Sequence, residues 1–223
     1  MLFDNIKHFL SKTIKDSYGR DVGQLICINP NTKNEVVSLK LKLSDRNFTQ
    51  FPIRYFRLEG NQLIFLYDWM IDSEDLIKEF TLLSKRMEAL EGLLSKGEVS
   101  KEVYDELNNI FSKQYDTLKE KQESLIKELS RNLEEIENSI KELNIALAVV
   151  KMQRVLKEID EETFKSISLT IQTGINKAIA EKKDIEQTIQ RIKNLSTKPI
   201  QHPVVDSKKE GRTEQPLTVQ VID

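Results

Sequence analysis

The sequence predicts an α+β protein: a small N-terminal antiparallel β-barrel, a long antiparallel helical coiled coil, and a disordered tail. Three observations lead there. The 223 residues are 31% charged and 39% hydrophobic, with only 7 Gly and 5 Pro, more surface and less core than an average chain at about 25% charged. The apolar period changes from two residues to three and a half near position 70. It then stops after Leu195. The boundaries that follow are 1–70 for the β domain, 71–195 for the rod, 196–215 for a disordered linker and 216–223 for a final strand.

In the first part, Thr13 to Lys15 is a short strand and Asp16 to Gly19 a turn, with Gly19 supplying a positive φ. Val22 to Ile28 is a second strand, closed by the Asn29–Asn34 turn cluster. Val37, Leu39, Leu41 and Leu43 alternate with polar residues, the period of a half-buried strand. Phe51 to Leu58 and Gln62 to Tyr67 pair across Glu59-Gly60-Asn61. Five short antiparallel strands of this length make a small barrel, and Trp69 is positioned to dock the start of the rod onto it.

The rod divides into helices at about 73–96, 101–157 and 161–195. Leu76, Phe80, Leu83, Met87, Leu90 and Leu94 step by four and three, a heptad seam. Gly97 suits the left-handed position that ends this helix. Ser100 then caps the next, with Val99 and Tyr104 spaced as a hydrophobic staple. Sixty residues later the same chemistry returns: Asp160 is the cap, and Ile159 with Phe164 the staple. Phe164, Ile171, Ala178, Ile185 and Ile192 then recur every seven residues. At about 1.5 Å per residue the two outer helices together match the long middle one, so two tight reversals would give an antiparallel rod. Gln122, Asn132, Ser139 and Lys182 are polar members of its seam that fix register or mark contacts with another copy. Leu125, Leu129, Ile136, Ile140 and Leu143 are the expected self-association surface, in a homo-oligomer or filament; a self-contained spacer is the other reading of the same pattern.

Two terminal segments suggest contacts. Leu2, Phe3, Ile6, Phe9 and Leu10 fall on one helical face beside Lys7 and Lys12, suited equally to a peripheral membrane contact or to capping the barrel's open end. At the other terminus Leu217, Val219 and Val221 alternate with Thr218, Gln220 and Ile222 after Pro216. A strand at the end of a tether cannot satisfy its own backbone. Addition to a partner's sheet edge is expected, and folding back on the barrel is the alternative.

Catalytic motifs are absent: no CxxC, HExxH, GxSxG or GxGxxG occurs. Gly92 to Gly97 has phosphate-loop spacing, but Glu98 and Val99 stand where Lys and Ser or Thr are needed. His8 and His202 lie in unrelated segments, and Cys27 is alone in an apolar run, a buried thiol by expectation. No catalytic residue, cofactor site or metal site is predicted, and the chain reads as a non-enzyme. No uncharged stretch exceeds eleven residues, short of the ~20 that cross a bilayer, and the first ten residues lack a signal-peptide pattern, so a cytoplasmic location is expected. Residues 1–70 carry 10 Lys and Arg against 7 Asp and Glu, whereas 71–195 carry 20 against 25, a weak bias of the front segment toward anionic surfaces.

The run Ile14–Ile26 (IKDSYGRDVGQLI), followed by a turn and Val36 to Leu39, resembles the opening of a PRC-barrel domain. Joined at Tyr67-Asp68-Trp69 to a coiled coil with two turn motifs and then a tethered strand, it resembles the archaeal CdvA family across the whole chain. Two positions depart from the pattern: Ser11 stands before Lys12 where these barrels have Gly, and the second turn, Leu156 to Ile159, lacks the expected Gly. The resemblance implies a cell-division scaffold that assembles into filaments at the inner face of the membrane, at the division site. It also implies recruitment of an ESCRT-III homologue, CdvB, whose winged-helix part takes the C-terminal segment as an added strand. Carried over here, that segment is Pro216, Leu217, Val219, Val221 and Ile222 with the residues between them. DNA association is also implied by the family, although no basic stripe supports it here; a chromosome- or DNA-associated coiled-coil protein is the alternative function.

Overall fold

A computed structural model describes residues 1–195; the predicted linker and final strand, 196–223, lie outside the described residues. Six strands form one sheet: β1 (Thr13–Asp16), β2 (Asp21–Pro30), β3 (Val36–Ser44), β4 (Asn47–Pro52), β5 (Phe56–Glu59) and β6 (Gln62–Phe65). Their order is β4-β3-β2-β1-β6-β5, curled into a half-barrel. Neighbours are antiparallel except β1 and β6, which run parallel.

This corrects the expected five antiparallel strands. The apolar run from Phe51 to Leu58 is broken at Pro52, whose ring removes a ladder donor. A turn of 3₁₀ helix (Ile53–Tyr55) follows, so the run ends one strand and begins another. In β3 the inward set is Val36, Leu39 and Leu41, while Val37 is 54% exposed. The β2–β3 register skips Val37 between its Asn29–Ser38 and Pro30–Val36 pairs, a bulge that turns it outward. Phe51, Phe56 and Phe65 pack edge-on between the free edges of β4 and β5, closing the open side with aromatic rings instead of a ladder.

The first turn of chain, α1 (Phe3–Ile6) with a 3₁₀ extension (Lys7–Phe9), plugs the barrel. Ile6 and Phe9 are buried in its core with Ile14, Leu25, Leu39 and Leu41, and Phe3 packs against them.

Three helices make the rod: α2 (Asp68–Ser95), α3 (Lys101–Val155) and α4 (Glu161–Lys193). Their 28, 55 and 33 residues are about 42, 82 and 50 Å long. α2 starts five residues earlier than the periodicity suggested, because Trp69, Ile71 and Ser73 are buried and extend the seam backwards. α2 lies antiparallel on the first half of α3, joined by Lys121–Glu79 at 2.9 Å, and α4 on the second, joined by Lys182–Glu137 at 2.7 Å. The short helices together outnumber α3 by six residues, so they overlap at mid-rod. There Trp69 and Leu76 of α2 share a core with Leu118, Leu125 and Leu129 of α3 and with Ile185, Ile189 and Ile192 of α4.

The two reversals are built alike. At the first, Glu98 N–H donates to Leu93 O at 2.9 Å and Gly97 N–H to Leu94 O at 3.0 Å. At the second, Glu158 N–H donates to Gln153 O at 2.9 Å and Lys157 N–H to Arg154 O at 3.1 Å. Each is the paired carbonyl-capping pattern that needs a left-handed residue, and each is followed by a side-chain cap: Ser100 accepts from Val103 N–H, and Asp160 from Thr163 N–H. Gly97 has φ 72° and Lys157 φ 59°. The second turn is therefore as tight as the first without its Gly. Ser11 is likewise left-handed at φ 65°, so both departures from the PRC-barrel and coiled-coil patterns keep the backbone that Gly would adopt.

Candidate interaction surfaces

The densest polar constellation joins barrel to rod. Asp16, 3% exposed, ends β1 and accepts four hydrogen bonds: from Tyr18 N–H (2.9 Å), Arg20 N–H (2.8 Å), Arg20 Nε (2.6 Å) and Tyr67 Oη (2.8 Å). Gly19, at φ 74°, lets the chain turn tightly enough for Arg20 to fold back on Asp16. The other arm of Arg20 reaches α4, where its Nη2 meets Glu181 Oε2 at 2.7 Å. Beside it Lys177 Nζ donates to Gly19 O at 2.7 Å.

Burial works to raise the Asp16 carboxyl, but the hydrogen bonds from Arg20 N–H, Tyr67 and the Arg20 side chain outweigh it and hold the group below its ordinary range. Burial first, and then the carboxylates of Asp184 and Glu181, push the Tyr18 phenol far upward. Burial and the Asp16 hydrogen bond do the same to Tyr67. These three groups therefore keep one protonation state near neutrality. The site is an anchor that sets the barrel against α4.

Tyr67 rather than Trp69 couples the two parts: it packs against both hydrophobic cores, whereas Trp69 belongs to that of the rod. The sequence pattern alone does not reveal the anchor. Asp16, Ser17, Tyr18 and Gly19 read as a turn, with no partner apparent for Arg20. One signal was available: Glu181 stands within the apolar stripe of α4, between Ala178 and Ile185, and is 9% exposed.

The predicted contact residues are placed as follows. Ile6 and Phe9 are core residues of the barrel and are not available to a bilayer; of the N-terminal face, Leu2 and Leu10 are exposed. The segment is tied to the β2–β3 turn by Phe3 N–H to Asn34 O (3.0 Å) and Val36 N–H to Met1 O (2.9 Å), which is why it caps the barrel. Among the expected self-association residues, Leu125 and Leu129 are buried against α4, Ile136 is partly buried in the same core, and Ile140 and Leu143 are half-buried. A Cβ on Gly174 of α4 would stand 3.5 Å from Leu143. These residues build the hairpin itself. Gln122 also acts within the chain, donating to the carbonyls of Ile192 and Leu195 at the end of α4. Lys182 is held by Glu137 and Glu186, and Asn132 and Ser139 line a shallow cleft with Tyr67, Trp69 and Glu181. Cys27 is half-buried, its Sγ 3.4 Å from Asn29 Oδ1. Pro216, Leu217, Val219, Val221 and Ile222 lie outside the described residues.

Among the described residues, no group of three or more His, Cys, Asp or Glu side chains could hold a metal ion, and no helix is long and apolar enough to cross a membrane.

Comparison with known proteins places this architecture. The chain is 23% identical over 193 residues to Cell division protein A of Sulfolobus acidocaldarius, covering 86% of this chain and 81% of that protein. No solved structure matches it. The family described as the CdvA-like coiled-coil domain matches residues 68–215, a span that opens at the first residue of α2, takes in the whole rod and both capped reversals, and covers about two thirds of the sequence. By that match the chain belongs to the family of CdvA-like coiled-coil proteins.

Proposed function

We propose that this chain is a non-enzymatic cell-division scaffold that self-assembles on the cytoplasmic face of the membrane at the division site. In this reading it recruits an ESCRT-III homologue through residues 216–223. The observation that carries the reading is the family match over the rod together with a relative named for cell division. The architecture supports it. A rod of about 82 Å, anchored at its middle to a small barrel through Arg20 and Glu181, suits holding other molecules at a fixed spacing. Membrane contact through the N-terminal face would rest on Leu2 and Leu10, each too small an apolar surface to bind alone, so many copies would have to act together.

Recruitment is tested by titrating the winged-helix part of the ESCRT-III homologue into the full chain. In an added strand, alternate side chains fill the partner's groove. Burial of one Val contributes roughly 1.5–3 kcal/mol, so Val219→Asp is expected to weaken binding well over tenfold and Thr218→Asp far less. Equal losses from the two substitutions would exclude strand addition, and no binding by the unmodified chain would remove recruitment from the reading.

A further inference from the structure

In a chain that is 31% charged, the two longest uncharged stretches of the rod are Leu143–Val150 on α3 and Ser166–Asn176 on α4. The antiparallel hairpin sets them side by side, framed by Lys182–Glu137 at one end and Arg154–Glu161 at the other. On their inner faces Val150 of the first stretch and Ile175 of the second are buried.

A second apolar seam runs along the outside. Ile145, Val149, Met152 and Leu156 step by four, three and four, and are 57, 41, 57 and 67% exposed. Leu169 of α4 is 70% exposed. A helix that is apolar on two faces is normally covered on both. Near mid-rod a third helix supplies that cover, but this distal half is only two helices thick.

We propose that the outer seam is an interface for a second copy of this chain, docked antiparallel so that two distal hairpins form a four-helix contact with the barrels at opposite ends. The inference rests on the self-assembly part of the function proposed above and gives it a surface. The occupant follows from symmetry and charge. A two-fold axis between Val149 and Met152 pairs Ile145 with Leu156 and Val149 with Met152, so the seam is its own complement. The same axis brings Lys141 of one copy to Asp160 of the other and leaves Glu142 within a turn of Lys157. A bilayer would require a cationic flank, yet residues 141–165 carry five cations and five anions.

Sedimentation of the full chain from low to high micromolar concentration tests this, alone and with Val149→Lys plus Met152→Lys. Both positions are solvent-exposed in one copy, so helicity by circular dichroism should not change. Association of the unmodified chain, weakened at least about tenfold in the variant, is the expected result. Unchanged association in the variant overturns this surface and leaves self-assembly standing. A monomer throughout overturns both. Flotation of a monomeric unmodified chain with anionic vesicles, abolished by Val149→Ser plus Met152→Ser, would give the seam to a bilayer instead.

A cysteine experiment decides independently of the lysine variant's folding. In a Cys27→Ser background, Ile145→Cys chains mixed with Leu156→Cys chains should cross-link on oxidation, while Ile145→Cys alone should not. The reverse pattern would exclude the antiparallel arrangement.

Discussion

Lys157 sits at φ 59° where the equivalent turn uses Gly97 at 72°. A side chain in the left-handed region costs roughly 1–2 kcal/mol, partly returned by the smaller backbone entropy of a non-glycine. Lys157→Gly is therefore expected to raise stability by about 0.5–1 kcal/mol. Gly97→Ala should lower it by a similar amount, through conformation alone, since a Cβ there would meet nothing within 4 Å. Urea midpoints of the two variants check both signs together. At Asp16 the folded carboxyl titrates below its ordinary 3.8. A depressed carboxylate contributes stability above its unfolded value, and that contribution is lost as pH falls through the folded one. The anchor should thus hold unchanged through neutrality and weaken only below about pH 4. Asp16→Asn should cost about 2 kcal/mol at pH 7 by removing the buried charge that the Arg20 side chain and three further donors share, with Glu181 left as the only carboxylate on Arg20, and should flatten the acid limb of a stability–pH curve. An acid limb as steep as that of the unmodified chain would place its origin elsewhere.

Gly23 decides how β2 meets β3: a Cβ on it would stand 2.7 Å from the carbonyl oxygen of Lys42, which is backbone and cannot step aside cheaply. Gly23→Ala should therefore destabilise the half-barrel by about 1–3 kcal/mol. Differential hydrogen exchange should show faster exchange across β2 and β3 and little change in the distal half of the rod. Among the elements, the helices were the most legible in the sequence, because each signal is local. The heptad steps, Gly97, the caps Ser100 and Asp160 and the Val99/Tyr104 and Ile159/Phe164 staples all lie within a turn of the feature they set. The sheet was less legible. Pro52 divides an apolar run that looks continuous, Val37 bulges where alternation would turn it inward, and the parallel pairing of β1 with β6 joins segments fifty residues apart. The anchor was the least legible, since Asp16, Arg20, Tyr67 and Glu181 come together only once barrel and rod are both formed. The N-terminal face was ambiguous for a similar reason, because an apolar stripe looks the same whether a bilayer or a barrel core will cover it.

In the whole molecule, α3 is the one continuous member, and α2 and α4 are laid along it end to end with a short overlap. The anchor ties the barrel to α4 near that overlap, through Lys177 and Glu181, and Gln122 clasps the end of α4 in the same region. Mechanically this is a lap joint. The cross-section is three helices at the centre and two in either arm, so resistance to bending is greatest where the barrel is attached and falls toward both tips. A load applied across the rod would bow the arms while the middle kept its shape, and the barrel would keep its orientation to the central axis as the tips followed a curved support.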